Sequence, residues 1–278
     1  MQKRVAAIHD ISGFGKCSLT VALPIISAAG VETSVIPTAV LSTHTGGFKD
    51  FTFRDLTEDI LPIAKHWKSE GIRFDAIYTG YLGSFRQIDL VCEIIDILRD
   101  EDTLVVVDPV MADHGKLYQI FPENFPEGMK KLCAKADIVI PNLTEACLML
   151  GIEYKEGVFT EEYVSEILTA LRDMGAKLPI LTGVYFDDKK LGSAALCDGK
   201  IEYAFADRVD AMYHGTGDVF GSALVGAILN GKSIREAMQI AAEYTSGCIY
   251  RTKHFQPERT YGVDFENELP KYIKLLGK

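Results

Sequence analysis

The chain has 278 residues, with 29 lysines and arginines against 39 aspartates and glutamates; the formal net charge of −10 argues against a nucleic-acid or anionic-membrane surface. Hydrophobic residues make up 47% and mean hydropathy is +0.09, ample material for the core of a globular protein. No window approaches eighteen uninterrupted apolar residues, which excludes a membrane-spanning helix. The six cysteines are scattered and contain no C-x-x-C pair, which argues against a zinc site or a disulfide scaffold. Lys3 and Arg4 precede an apolar stretch, but His9 and Asp10 break it too early for a signal peptide, so a cytoplasmic location is expected.

In chain order, short β-branched runs alternate with helical spacing. A strand is predicted over 5–11, a helix over 18–29, and strands over 33–40 and 76–80. A helix over 87–99 then leads to a strand over 104–109, and a helix over 127–135 to a strand over 138–141. A helix over 161–174 precedes a strand over 179–182. Leu104-Val105-Val106-Val107 and Ile138-Val139-Ile140 are apolar at every position, as in a parallel sheet covered on both faces. Next, runs over 193–197 and 201–206 flank Asp198-Gly199, a two-residue hairpin signal. Helices over 216–229 and 233–251 follow, with a short one over 267–276. The alternation predicts a three-layer α/β/α fold with a mostly parallel central sheet, forming one domain over 1–278.

Ligands of open α/β sheets bind beyond the carboxyl ends of the strands. Residues following the predicted strands here are polar: Asp10 and Ser12, Ser42 to Thr45, Tyr81, Asp108 and Asp113, Asn142 and Glu145, and Thr182. Gly215-Thr216-Gly217-Asp218 precedes an apolar helix. Glycines there let the backbone approach a ligand, and the free N–H groups of the helix start attract an anion. An acid at that mouth is either an acidic cap after a turn or a base aimed at a hydroxyl that attacks a phosphate.

One motif is a decoy. Gly226-Ala227-Ile228-Leu229-Asn230-Gly231-Lys232-Ser233 matches G-x-x-x-x-G-K-S, but the phosphate-binding loop needs a strand before it and a helix after it. Here the first residues end an apolar helix, Gly231 suits its C-terminal cap, and Ser233 with Glu236 forms a capping box for the next helix. Asn142-Leu143-Thr144 matches a glycosylation acceptor, which has no role in a cytoplasmic chain.

Several segments together resemble the ribokinase-like superfamily, and within it the pyridoxal (vitamin B6) kinases. They are Gly215-Thr216-Gly217-Asp218, Asp108-Pro109-Val110-Met111-Ala112-Asp113, Pro141-Asn142-Leu143-Thr144-Glu145, Ser42-Thr43-His44-Thr45-Gly46 and Thr79-Gly80-Tyr81-Leu82-Gly83. The resemblance implies ATP-dependent phosphorylation of the 5′-hydroxymethyl group of pyridoxal, pyridoxamine or pyridoxine. It implies Asp218 as base and Gly215, Thr216 and Gly217 as the anion hole. Asp113, Asn142, Glu145, Thr182, Val209, Tyr213 and Thr216 are expected at the nucleotide, and Asp108, Asp113 and Glu145 at a metal. Ser12, His44, Thr45 and Tyr81 are expected to line the vitamer pocket. Mg²⁺ is expected with ATP, a monovalent cation such as K⁺ is allowed, and a homodimer is the usual assembly. Leu41 and Ala39 depart from the aromatic wall of that family, and Gly13-Phe14-Gly15-Lys16-Cys17 is similar to the related hydroxymethylpyrimidine kinases. A non-catalytic vitamin or nucleotide binder would have no need of an acid beside an anion hole.

Overall fold

A computed structural model describes residues 2–278. The apolar run Val5-Ala6-Ala7-Ile8, fully buried, forms the middle of β1 (Arg4–Ser12). Side chains alternate across a strand. Ala6 and Ile8 therefore join one hydrophobic core, and Val5 and Ala7 join a second on the opposite face. After α1 (Leu19–Ala28), β2 (Glu32–Leu41) pairs parallel to β1, and β3 (Phe53–Asp55) pairs antiparallel to β2. Next come α2 (Thr57–Ser69), β4 (Ala76–Thr79), α3 (Phe85–Leu98) and β5 (Leu104–Val107). A two-stranded hairpin of β6 (Ala112–Asp113) and β7 (Lys116–Leu117) precedes α4 (Phe125–Cys133) and β8 (Ile138–Val139). α5 (Leu143–Leu150), α6 (Glu161–Asp173) and β9 (Leu178–Val184) follow. β10 (Lys190–Cys197) and β11 (Lys200–Asp207) form the expected hairpin, with Asp198 and Gly199 both at positive φ. α7 (Thr216–Leu229), α8 (Ile234–Phe255) and α9 (Leu269–Leu275) close the chain.

The main sheet has nine strands in the order β11-β10-β9-β8-β5-β4-β1-β2-β3. Strands β2, β1, β4, β5, β8 and β9 are parallel, and antiparallel strands flank them at both edges. Helices α2 to α6 cover one face and α1, α7, α8 and α9 the other. The chain leaves β1 toward β2 on one side, then returns to β4 on the other. Such a reversal opens a crevice at the carboxyl ends of the two strands. Asp10 and Ser12 stand on one lip and Gly80-Tyr81 on the other. Gly80 is required there by a close approach: a Cβ would overlap the ring of buried His9.

Most predicted boundaries shift by one to four residues; β10 begins at Lys190 rather than at residue 193, and α3 at Phe85 rather than at residue 87. α4 begins two residues before the predicted start, at a helix whose second residue is proline, as suits a helix start. α8 continues to Phe255, beyond the predicted end at residue 251. The terminal segment divides into a 3₁₀ turn (Glu266–Glu268) and α9. The rejected motif is a helix–turn–helix joint: α7 ends at Leu229, Gly231 has φ of 79°, and Ser233 and Glu236 form the capping box. No helix among the described residues is long and apolar enough to cross a membrane.

α7 packs its small and branched side chains against α1 and α8, and Leu224 is fully buried there. Leu224→Ala leaves a cavity under the helix that carries Asp218. Urea unfolding should show a loss of about 2–5 kcal/mol; a loss near zero would show that this core does not hold α7.

Candidate active site

A cleft of about 360 Å³ runs along the carboxyl ends of β5, β8 and β9 to the N-terminus of α7. It gathers Asp108, Asp113, Asn142, Glu145, Thr182, Val209, Tyr213 and the whole segment Gly215 to Asp218. Apolar side chains, Ile140, Phe220, Ala242 and Ile249, line it beside the carboxylates. Such a mixed lining suits a ligand with both a flat apolar ring and charged groups. The cleft thus brings together the nucleotide-side residues expected from sequence, although they come from five separate segments.

The α7 end is built from a glycine turn. Gly215 is the N-cap residue at φ 78°, a left-handed conformation that L side chains rarely adopt, and a Cβ there would overlap the Lys16 carbonyl oxygen. Close packing of this turn on the loop before α1 brings the two loops together. Gly217 is exposed, with open space where a Cβ would stand, so its N–H group faces the cleft unobstructed. Asp218 is the third residue of the helix and the acidic residue of its first turn. Its carboxyl is pushed up to about 7, chiefly by burial and also by Asp10, against a lowering by the Ser18 backbone N–H.

Asp108 and Glu145 form a buried pair. Burial raises Asp108 well above the usual carboxylate range, and Glu145 and then Asp218 raise it further. Glu145 is also raised by burial, although its oxygens accept backbone N–H groups of Met111 (3.1 Å) and Asn142 (2.8 Å). It completes a capping box with Asn142, whose Oδ1 accepts from the Glu145 N–H at 2.9 Å and whose Nδ2 donates to the Ala112 carbonyl at 2.9 Å. Both ends of the Asn142 amide are therefore engaged within the protein. Asp113 is exposed on the β6–β7 hairpin, beside His114.

Asp108, Asp113 and Glu145, the carboxylates expected near a metal, all line the cleft. Among the described residues no three His, Cys, Asp or Glu side chains gather closely enough to hold an ion. Asp113 stands out on its hairpin, and the oxygens of Glu145 are turned to backbone donors. The donor chemistry still suits magnesium, which takes one or two carboxylates and completes its shell with water and phosphate oxygens. No lysine or arginine lines the cleft, so the charge of a bound triphosphate is not neutralised by the side chains around it.

The residues expected at the vitamer lie beyond Asp218, outside this cleft. Ser12 is buried and donates to Asp10 at 3.1 Å. Tyr81 is half-buried, its ring 5.7 Å from that of Phe121. His44 is buried, accepts the Gly46 N–H at Nδ1 (3.0 Å) and lies 5.3 Å from the ring of His214, next to the anion-hole turn. Thr45 is exposed on the same loop. Leu41 is buried, and its carbonyl accepts the Gly13 N–H at 2.8 Å, so its backbone fixes the loop after β1.

Sequence reading missed Ser18, Tyr118 and His214. Tyr118 and His214 line the cleft. Ser18 is a buried non-glycine residue at φ 58°, with its hydroxyl 2.5 Å from Asp10 and its N–H near enough to Asp218 to lower that carboxyl. No local pattern marks any of the three; only Lys116–Leu117 turning back onto Ala112–Asp113 brings Tyr118 to the cleft.

An apolar slot, an unobstructed helix N-terminus and a raised aspartate at a parallel sheet's carboxyl edge define a kinase of the ribokinase-like class. The phosphomethylpyrimidine kinase family model matches residues 23–263, and the chain belongs to that family. A Bacteroides thetaiotaomicron protein assigned to the phosphomethylpyrimidine kinases, crystallised with pyridoxal, superposes with a TM-score of 0.91 at 38% identity. The match covers 98% of this chain and 96% of that one. The Staphylococcus aureus pyridoxal kinase in complex with AMP-PCP superposes with a TM-score of 0.75 at 26% identity, over 90% and 88% of the two chains. The pyridoxine kinase of Bacillus subtilis (strain 168) is 27% identical over 183 residues, 65% of this chain and 66% of that protein. The chain thus spans just under two-thirds of that relative.

Asp218 carries a stability consequence. Its folded value near 7 exceeds the usual 3.8, so the native state holds a proton that the unfolded chain gives up. That contribution is present below about pH 4, falls away as pH rises toward 7, and is absent above. Asp218→Asn removes the titration. In metal-free, nucleotide-free protein the variant should gain on the wild type between pH 5 and pH 8. The expected gain is about 1–3 kcal/mol, reduced by the partial exposure of Asp218 to the cleft. Thermal melts at the two pH values check this, and a pH-independent difference would contradict it.

Proposed function

We propose that this protein transfers the γ-phosphoryl group of ATP to the 5′-hydroxymethyl group of a B6 vitamer: pyridoxal, pyridoxamine or pyridoxine. The observation that carries the reading is Asp218. A carboxyl pushed up to about 7 stands in the first turn of α7, beside the N–H groups that would hold the transferring phosphoryl. A base poised near neutral pH is suited to accept a hydroxyl proton. The pyridoxal-bound Bacteroides protein and the AMP-PCP-bound Staphylococcus kinase support the two substrates.

In this reading the purine lies in the slot beside Val209 and Tyr213, with its phosphates directed along the cleft to Gly215–Gly217. Thr182, whose hydroxyl is 3.4 Å from the Pro141 carbonyl, stands at the phosphate path. Magnesium would be held from Asp108 and Glu145, with Asp113 at the rim, and supplies charge neutralisation of the phosphates when bound. The N–H groups at the start of α7 stabilise the charge on the equatorial oxygens, and the helix dipole reinforces them. Asp218 orients the acceptor hydroxyl and takes its proton as the phosphoryl transfers. Ser12, His44, Thr45 and Tyr81 form the acceptor side, with the loop carrying His44 packed on His214 and so over the reaction centre.

The family model favours one second reading, a hydroxymethylpyrimidine as acceptor. Incubation with Mg-ATP and each of pyridoxal, pyridoxamine, pyridoxine and hydroxymethylpyrimidine separates the two. Phosphorylation of a vitamer at its 5′-hydroxyl is expected, and turnover of the pyrimidine alone would replace the first reading with the second. Asp218→Asn should lower kcat by roughly 10²–10⁴-fold while ATP binding stays within about twofold of the wild type. Near-normal turnover in that variant would remove Asp218 from its assigned role.

A further inference from the structure

Asp10 is a carboxylate with an unexplained cost. It ends the apolar part of β1 and is 4% exposed, yet no lysine, arginine or histidine among the described residues pairs with it. Its only side-chain partners are two hydroxyls: Ser12 donates to Oδ2 at 3.1 Å and Ser18 to Oδ1 at 2.5 Å. Burial raises its pKa, against the lowering by those two donors. A buried carboxylate with no counter-charge is expensive, and two neutral hydroxyls offset only part of that.

Its position gives the cost a purpose. Asp10 lies on the lip of β1 where the strand order reverses, opposite Tyr81 on the lip of β4. It is close enough to Tyr81, Cys17 and Asp218 to raise all three, burial being the larger cause in each. Asp10 thus stands among the substrate-side residues, with Ser12 hydrogen-bonded to it and Tyr81 just past the end of the neighbouring strand. Ser18 gives its hydroxyl to Asp10, and the loop that carries it packs on the turn before Asp218, where a Cβ on Gly215 would overlap the Lys16 carbonyl oxygen. Ser18 does so from a left-handed backbone, φ 58° and ψ −134°, and its hydroxyl makes no cap for α1. A strained residue whose hydroxyl serves a buried carboxylate belongs to a site rather than to the helix it precedes.

We propose that Asp10 is the specificity-determining residue of the acceptor pocket, receiving a proton-bearing cationic nitrogen of the substrate while Asp218 faces its hydroxyl. The inference rests on the vitamer-kinase reading above. A B6 vitamer has two nitrogens of that chemistry: the ring nitrogen when protonated, common to every vitamer, and the 4′-ammonium of pyridoxamine alone. An ion pair there supplies the counter-charge that the protein itself withholds, and the fixed separation from Asp218 selects the orientation that presents the 5′-hydroxyl.

The test compares wild type, Asp10→Asn and Ser18→Gly with pyridoxal, pyridoxine and pyridoxamine. Steady-state kinetics is run beside equilibrium dialysis of pyridoxamine and pyridoxine without nucleotide. Asn keeps the shape of Asp10 and removes its charge. Glycine at position 18 accepts the positive φ and removes only the hydroxyl, so it reports on the same contact if Asp10→Asn folds poorly. In Asp10→Asn the vitamer KM and dissociation constant should rise roughly 10–100-fold, as for loss of a hydrogen bond to a charged group, with the ATP KM unchanged. Ser18→Gly should give a smaller rise in the same constants. An equal rise for every vitamer assigns the contact to the ring nitrogen, and a rise confined to pyridoxamine assigns it to the 4′-ammonium. Vitamer constants within twofold of wild type, or a fall in kcat alone, would overturn the proposal while leaving the kinase reading standing. A wild-type protein that neither binds nor phosphorylates a vitamer would remove both.

Discussion

Four carboxylates, Asp10, Asp108, Glu145 and Asp218, are packed into one end of a parallel sheet, and the protein places no lysine or arginine in the cleft that three of them face. Bringing such groups out of water costs several kcal/mol each unless charge or hydrogen bonds compensate. The surrounding architecture follows from how that cost is met. Backbone N–H groups of Asn142 and Met111 serve Glu145, hydroxyls of Ser12 and Ser18 serve Asp10, and proton uptake serves Asp108 and Asp218. None of these is a full counter-charge. The balance is left to ligands that arrive with positive charge of their own.

The same constraint bears on the two glycines at the positive end of α7. A lysine at Gly215 or Gly217 would neutralise the carboxylates and also fill the space that a phosphoryl group needs. Gly215 cannot carry any side chain, because the Lys16 carbonyl occupies the position of its Cβ. Contact between these two loops couples the start of α7 to the loop after β1. In this way the turn that carries Asp218 and the loop that follows Ser12 are held by one piece of backbone packing.

Much of this was legible in local patterns. The uninterrupted apolar runs at Leu104–Val107 and over 138–140 announced strands buried on both faces, and Thr216–Leu229 has the limits its spacing predicts. Gly231 and the Ser233–Glu236 pair disclosed the false phosphate loop through ordinary helix-end chemistry. What escaped has common causes. β3 is exposed at every position, so no alternation marks it, and α2 is interrupted by Pro62. The Asn142–Glu145 spacing is a capping signature as well as a ligand signature, and the structure uses it for the cap, with α5 behind it. Asp10 and Ser18 were invisible as partners of Asp218 because their meeting depends on strand order across the sheet. Nothing within either segment encodes that order.

Ser18 shows how such long-range relations leave a local trace. Its φ of 58° puts a non-glycine residue where L side chains are unfavourable, and a relaxed backbone at that position would turn away either its N–H or its hydroxyl. The hydroxyl is committed to Asp10, and the N–H lies near enough to Asp218 to lower its carboxyl, so both polar groups of the residue face carboxylates. Glycine would relieve the backbone but release Asp10, and alanine would release Asp10 without relieving the backbone. Serine supplies the hydroxyl that Asp10 accepts, whereas threonine would add a branched methyl to a buried, strained site.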